Sequence, residues 1–139
     1  MSAKEVIKAL QAAGELLGPV WSKFKKKQSG GNWGEFLKSK EFKSVSSKLN
    51  TQLRKLKQKD VDRALRELSE QKRAVLDGDS IIDLRGARRG RFKRLSDVEN
   101  VLVRYKIEKS GERRDFLAWV LDDALPVLSK AAPIVLALL

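Results

Sequence analysis

Between Val6 and Leu17 the apolar residues Val6, Ile7, Leu10, Ala13, Leu16 and Leu17 fall at helical intervals, on one stripe of a cylinder. Ser2 followed by Glu5 is the pattern of a capping box, so a helix is predicted to open there. Gly18-Pro19 is expected to break or kink it, because proline removes one helical hydrogen bond and crowds the preceding turn. Val20, Trp21 and Phe24 continue the apolar patch into the run Lys23, Lys25, Lys26 and Lys27, and Gln28-Ser29-Gly30-Gly31 reads as a flexible linker. Residues 1–28 are thus expected to form an amphipathic N-terminal helix.

Asn32 with Glu35 marks a second helix start, after which Phe42, Val45, Leu49, Leu53 and Leu56 recur at intervals of three, four, four and three. This seam resembles a coiled coil but lasts only about two heptads, which favours an intramolecular core stripe and leaves a homo-oligomer as the lesser expectation. The step from Leu56 to Val61 breaks the phase beside Asp60, a good N-cap residue, and a further helix is predicted to carry Val61, Ala64, Leu65, Leu68, Val75 and Leu76. Asp77-Gly78-Asp79 should end it. Residues 32–77 are therefore expected to form an antiparallel helical hairpin, with one long helix as the alternative.

Residues 80–84 fit either a short strand or a helix start. Residues 85–94, Arg-Gly-Ala-Arg-Arg-Gly-Arg-Phe-Lys-Arg, hold six cations and two glycines and read as a basic loop. Ser96 with Glu99 repeats the capping-box pattern. Residues 101–107 alternate as a strand would, yet Val98, Val101, Leu102 and Tyr105 also make a helical stripe, and the cap tips the reading to helix. From Phe116 to Leu128 the chain is apolar almost all round apart from Asp122 and Asp123, the signature of a helix enclosed by others, with Pro126 and Pro133 expected to kink or segment it. Residues 96–139 should hold the C-terminal helices. Together the elements predict an all-α, compact, bundle-like single domain over residues 1–139, with about five or six helices and a basic loop.

Composition narrows the chemistry. The 139-residue chain has neither Cys nor His, which removes thiolate nucleophiles, imidazole acid–base catalysis, disulfides and ordinary zinc sites. No enzymatic activity and no cofactor are expected. Asp77, Asp79 and Asp83 lack the spacing of a calcium loop, and turn chemistry accounts for them. Asp122 and Asp123 would point about 100° apart on a helix, so they make no proton-sharing pair. Glu5 and Glu15 interrupt what would be the apolar core of a secretory signal, and Asp122, Asp123 and Lys130 interrupt the C-terminal apolar stretch, so a cytoplasmic location is expected.

The net charge of +12 is graded along the chain: residues 1–59 carry 14 basic and 4 acidic side chains, residues 60–110 carry 13 and 10, and residues 111–139 carry 3 and 4. A basic front and a neutral, apolar back point to a polyanion as partner. In the basic stretch Arg85, Arg88, Arg89, Arg91, Lys93 and Arg94 would contact phosphates, the glycines would allow a close approach, and Phe92 would stack on a base. The bland alternative is a solvated connector. Lys23, Lys25, Lys26 and Lys27 form a second candidate patch, whose blander use is to offset the macrodipole of their helix while Trp21 and Phe24 enter the core. Nucleic acid, bound through its backbone with little sequence specificity, is the leading expectation. An anionic membrane surface met by Trp21, Phe24 and the lysines is the alternative, and an acidic protein partner is the third.

Overall fold

In the computed structural model, which describes residues 1–28 and 32–139, helix α1 runs from Ala3 to Lys27. The capping box forms as expected: the Glu5 N–H donates to the Ser2 hydroxyl and the Ser2 N–H to the Glu5 carboxylate. The expected break at Gly18-Pro19 does not occur. Pro19 withholds a donor only from the carbonyl of Glu15, an exposed residue on the outer face of the helix. Gly18 also lacks the Cβ that normally keeps the residue before a proline out of helical geometry. Of the expected linker, residues 29–31 lie outside the described residues.

A single turn, α2 (Trp33–Phe36), is capped by the Asn32 side chain, which accepts from the Glu35 N–H at 2.9 Å, and α3 (Lys40–Arg54) is capped by Ser39. Helix α4 (Gln58–Leu76) starts after Lys57, one turn earlier than the expected cap. Asp60 therefore lies inside the first turn, buried, with its carboxylate 3.3 Å from the Met1 nitrogen. Asp77, in left-handed geometry at φ 46°, ends α4 as expected.

After a 3₁₀ turn (Ile81–Asp83), α5 runs from Gly86 to Lys109. The basic stretch is thus no loop: only Arg85 precedes the helix, and residues 86–94 form its first turns. The apolar stripe of α5 reaches back through Val98 and Leu95 to Phe92, and arginine, lysine and alanine are good helix formers. Gly90 sits within the helix, while Gly86, at φ 58°, marks the real change of direction. Ser96 consequently caps nothing. The helical reading of residues 101–107 holds.

Helix α6 (Arg113–Trp119) passes through one widened π-helical turn (Val120–Ala124) into α7 (Leu125–Leu138). In that turn the Leu125 N–H donates to the Val120 carbonyl, five residues back, just ahead of Pro126, whose ring would otherwise meet the Asp122 carbonyl. Pro126 segments the chain in this way, whereas Pro133 is carried within α7.

The fold is an all-α bundle with six helices of at least seven residues among the described residues and no strand. Helix α1 is central. Both α3 and α4 pack on it, so the expected hairpin is not formed: the stripes Phe42–Leu49 and Val61–Leu68 each face α1 instead of one another. Helix α4 runs antiparallel to α5, joined by Lys72 with Glu99 and Lys106 with Asp62, and α5 packs in turn on α7. Helix α7 crosses α1 at Gly14, where an added Cβ would lie 2.9 Å from the Leu125 Cδ1. It is not enclosed all round, since Pro126, Pro133 and Ile134 are exposed. No helix among the described residues is long and apolar enough to cross a membrane.

Candidate nucleic-acid interface

A helix N-terminus carries partial positive charge and favours acidic side chains. Helix α5 does the opposite: it has no acid in its first turn and holds five cations among residues 86–94. The structure separates the tasks of these side chains. Arg88 turns inward to the end of α4, where its Nε and Nη2 donate to the Val75 carbonyl at 3.1 and 2.9 Å, its Nη2 also to the Leu76 carbonyl at 2.6 Å, and its Nη1 to Asp79 at 2.9 Å. It satisfies carbonyls that α4 leaves open and places a cation at the negative end of that helix. Of the expected phosphate contacts, Arg88 is thus the one whose donors are already engaged at the end of α4. Asp79, whose carboxylate could have been imagined as a cation ligand, is its partner.

Phe92 is half-buried, with the Lys72 ammonium 4.9 Å from its ring centre. The expected base-stacking platform is in large part a core contact. Arg94 lies 3.8 Å from Asp97. Arg85 is exposed but anchored, its Nη1 donating to the carbonyls of Ile82 at 2.7 Å and Leu84 at 2.8 Å. Arg89, Arg91 and Lys93 have no acidic partner among the described residues, and Arg89 and Lys93 are exposed. Arg85, Arg89 and Lys93 are spaced four residues apart and line one groove, of about 630 Å³, together with Ile81, Ile82, Leu84 and Phe92. None of the residues lining it is acidic.

Family models, curated proteins and solved structures give no match to this chain. The interface therefore rests on its own geometry. Lys130 of α7 shares a hollow with Lys93, Arg94 and Asp97, the carboxylate that Arg94 faces, so one further lysine reaches the edge of the α5 cations from a second helix. Sequence reasoning missed it, since a lone lysine in an apolar helix carries no local signal. It also missed Ile81 and Ile82, which are 58% and 78% exposed.

The second candidate patch lies elsewhere. Phe24 is buried and Trp21 stacks on Trp33 at 4.1 Å between ring centres, within a cluster that includes Phe36 and Phe42, so these aromatics belong to the core. Lys25 stands 5.3 Å over the Trp21 ring. Lys27 bonds Glu41 at 3.0 Å, and that contact holds the Glu41 carboxyl below its ordinary range. Lys23 and Lys26 remain exposed. Both α1 and α5 run antiparallel to the continuous segment from α6 through the π turn into α7: Gly14 and Gly18 meet Leu125 and Leu121, while Lys93 and Val101 lie beside Lys130 and Trp119. The C-terminal lysines of α1 and the N-terminal cations of α5 consequently sit at opposite ends of the bundle, not on one face.

Proposed function

We propose that this is a non-enzymatic nucleic-acid-binding protein that grips the phosphate backbone with the first half of α5, with low sequence specificity. The observation that carries the reading is the concentration of cations at the end of a helix whose dipole opposes them, with Arg89, Arg91 and Lys93 left without acidic partners among the described residues. Rules of local stability are broken most often where function requires it. A bound anion would reverse the penalty, because backbone dipole and side chains then act together on one negative charge. Counterion release supplies most of such affinity.

Anisotropy titrations of a labelled oligonucleotide over a range of salt test the reading. The logarithm of the association constant should fall linearly with the logarithm of salt. Replacing Arg89, Arg91 and Lys93 together by Gln should flatten the slope by about 2 to 3, close to one for each phosphate that is no longer neutralised. Absence of a complex at low salt, or a complex indifferent to salt, would sink the proposal. Membrane docking through Trp21 and Phe24 has less to recommend it, because the side chains it requires are packed in the aromatic cluster.

A further inference from the structure

Beside the cations of α5 lies an apolar groove that phosphate binding does not use. Its floor is Leu84 and Phe92, and one wall is Ile81 and Ile82, exposed in the 3₁₀ turn. Two adjacent isoleucines open to solvent at the edge of a cationic stripe form an apolar surface in need of a partner. We infer that the ligand of this site is single-stranded nucleic acid, with an unpaired base seated in the Ile81–Phe92 groove while its flanking phosphates meet Arg85, Arg89 and Lys93. The inference rests on the phosphate-binding reading and specifies its substrate class.

Three features support it. A duplex hides the flat faces of its bases in the stack and offers an apolar groove nothing, whereas a single strand splays them outward. Arg89 and Lys93 follow one another at about 6 Å along the helix axis, and Arg85, just ahead of the helix, lines the same groove, so the three track a line of charge rather than a plane. Arg85 is held by two carbonyls through Nη1 alone, which fixes its guanidinium at the groove mouth with Nη2 directed to no partner among the described residues. Its Nε–Nη2 edge is then left as the fork that phosphate oxygens accept.

A planar anionic membrane is the competing occupant of such a surface, and charge argues against it. Asp77, Asp79 and Asp83 are all exposed on the same connection between α4 and α5, and a flat headgroup layer would press on them together with the isoleucines. A strand lying in the groove avoids them, since no carboxylate lines it.

The test compares, on the intact chain and at one salt concentration, a labelled single strand, the duplex of the same sequence and an abasic strand with the same number of phosphates. The single strand should bind about tenfold more tightly than either of the others. The double variant Ile81→Ser with Ile82→Ser, at exposed positions where folding is checked by circular dichroism and Tm, should lower single-strand affinity to the abasic level. Equal affinity for strand and duplex, or for native and abasic strands, overturns the inference while leaving the phosphate reading intact. Failure of every oligonucleotide to bind removes both. Flotation of the parent chain, but not of the isoleucine variant, with phosphatidylserine-containing vesicles would overturn it in favour of a lipid surface.

Discussion

The Tyr105 hydroxyl donates a 3.0 Å hydrogen bond to the Leu56 carbonyl, tying α5 to the connection between α3 and α4 inside the core. Lys109 joins the same carbonyl at 3.3 Å, with its ammonium 5.2 Å from the Tyr105 ring centre. Burial pushes the phenol well above its ordinary value of 10.0 and pushes the Lys109 ammonium down. For Tyr105 the folded chain holds its proton more tightly than the unfolded chain. The stability this provides is fully present below the unfolded value of 10.0 and is lost as the pH rises beyond it. Lys109 acts in the opposite sense, since its disfavoured charge is relieved as the pH rises, but its shift is the smaller. Urea midpoints should therefore decline above about pH 10, and Tyr105→Phe should flatten that decline while costing about 1 kcal/mol at neutral pH. An alkaline profile identical in parent and variant would refute the assignment.

Helix α7 lies against α1 only because Gly14 has no side chain: an added Cβ would stand 2.9 Å from the Leu125 Cδ1 and 3.0 Å from its Cβ. The first clash could be relieved by a rotamer change, but the second requires the helices to separate. Gly14→Ala should therefore destabilise the fold by about 1–3 kcal/mol, despite the better helix propensity of alanine. Combination with Leu125→Ala should give less than the sum of the two single effects in urea denaturation. Gly90 supplies the contrast, because nothing lies within 4 Å of its missing Cβ. Gly90→Ala should raise stability by about 0.5–1 kcal/mol and, where the backbone must approach a phosphate closely, weaken oligonucleotide binding.

The helices were legible wherever their cause was local. Ser2 and Glu5 lie within one turn of each other, and the stripes of α1, α3 and α4 are written in the spacing of their apolar residues. What escaped the sequence depends on distant partners. Two glycines and a density of charge made residues 85–94 look like a loop, but Phe92 continues the core stripe of α5 and only Gly86 takes a conformation that ends regular structure. Nothing near Arg88 in sequence announces that it belongs to the end of α4. Asp60 is a good cap residue by type, yet α4 begins one turn earlier, directly after Leu56 has entered the core. The site was legible as a segment; its division into structural and free cations was not.

That division can be tested at Arg88. Arg88→Gln strips the Val75 and Leu76 carbonyls of charged donors, and should cost about 1–3 kcal/mol in urea denaturation. Its salt bridge to Asp79 is 36% exposed on the arginine side and 51% on the carboxylate side, so Asp79→Asn should cost no more than about 1 kcal/mol. Neither change should alter the slope of oligonucleotide affinity against salt. A flattened slope in a stably folded Arg88→Gln protein would return Arg88 to the phosphate contacts.

The opposed placement of the two cationic stretches makes a sharper demand. Lys130 stands with Lys93 and Arg94 at one end of the bundle, whereas Lys23 and Lys26 lie near the far end of α1, a helix of 25 residues and hence about 37 Å long. An oligonucleotide too short to span that length can meet only one end at a time. Lys130→Gln should then reduce the salt slope by about one, because it removes one phosphate-binding cation from the α5 surface. Lys23→Gln with Lys26→Gln should leave the slope for the same short strand unchanged, and should matter only for strands long enough to reach both ends. If the pair at α1 governs binding of the short strand and Lys130 does not, the interface belongs to α1, and the assignment of phosphate contacts to α5 fails.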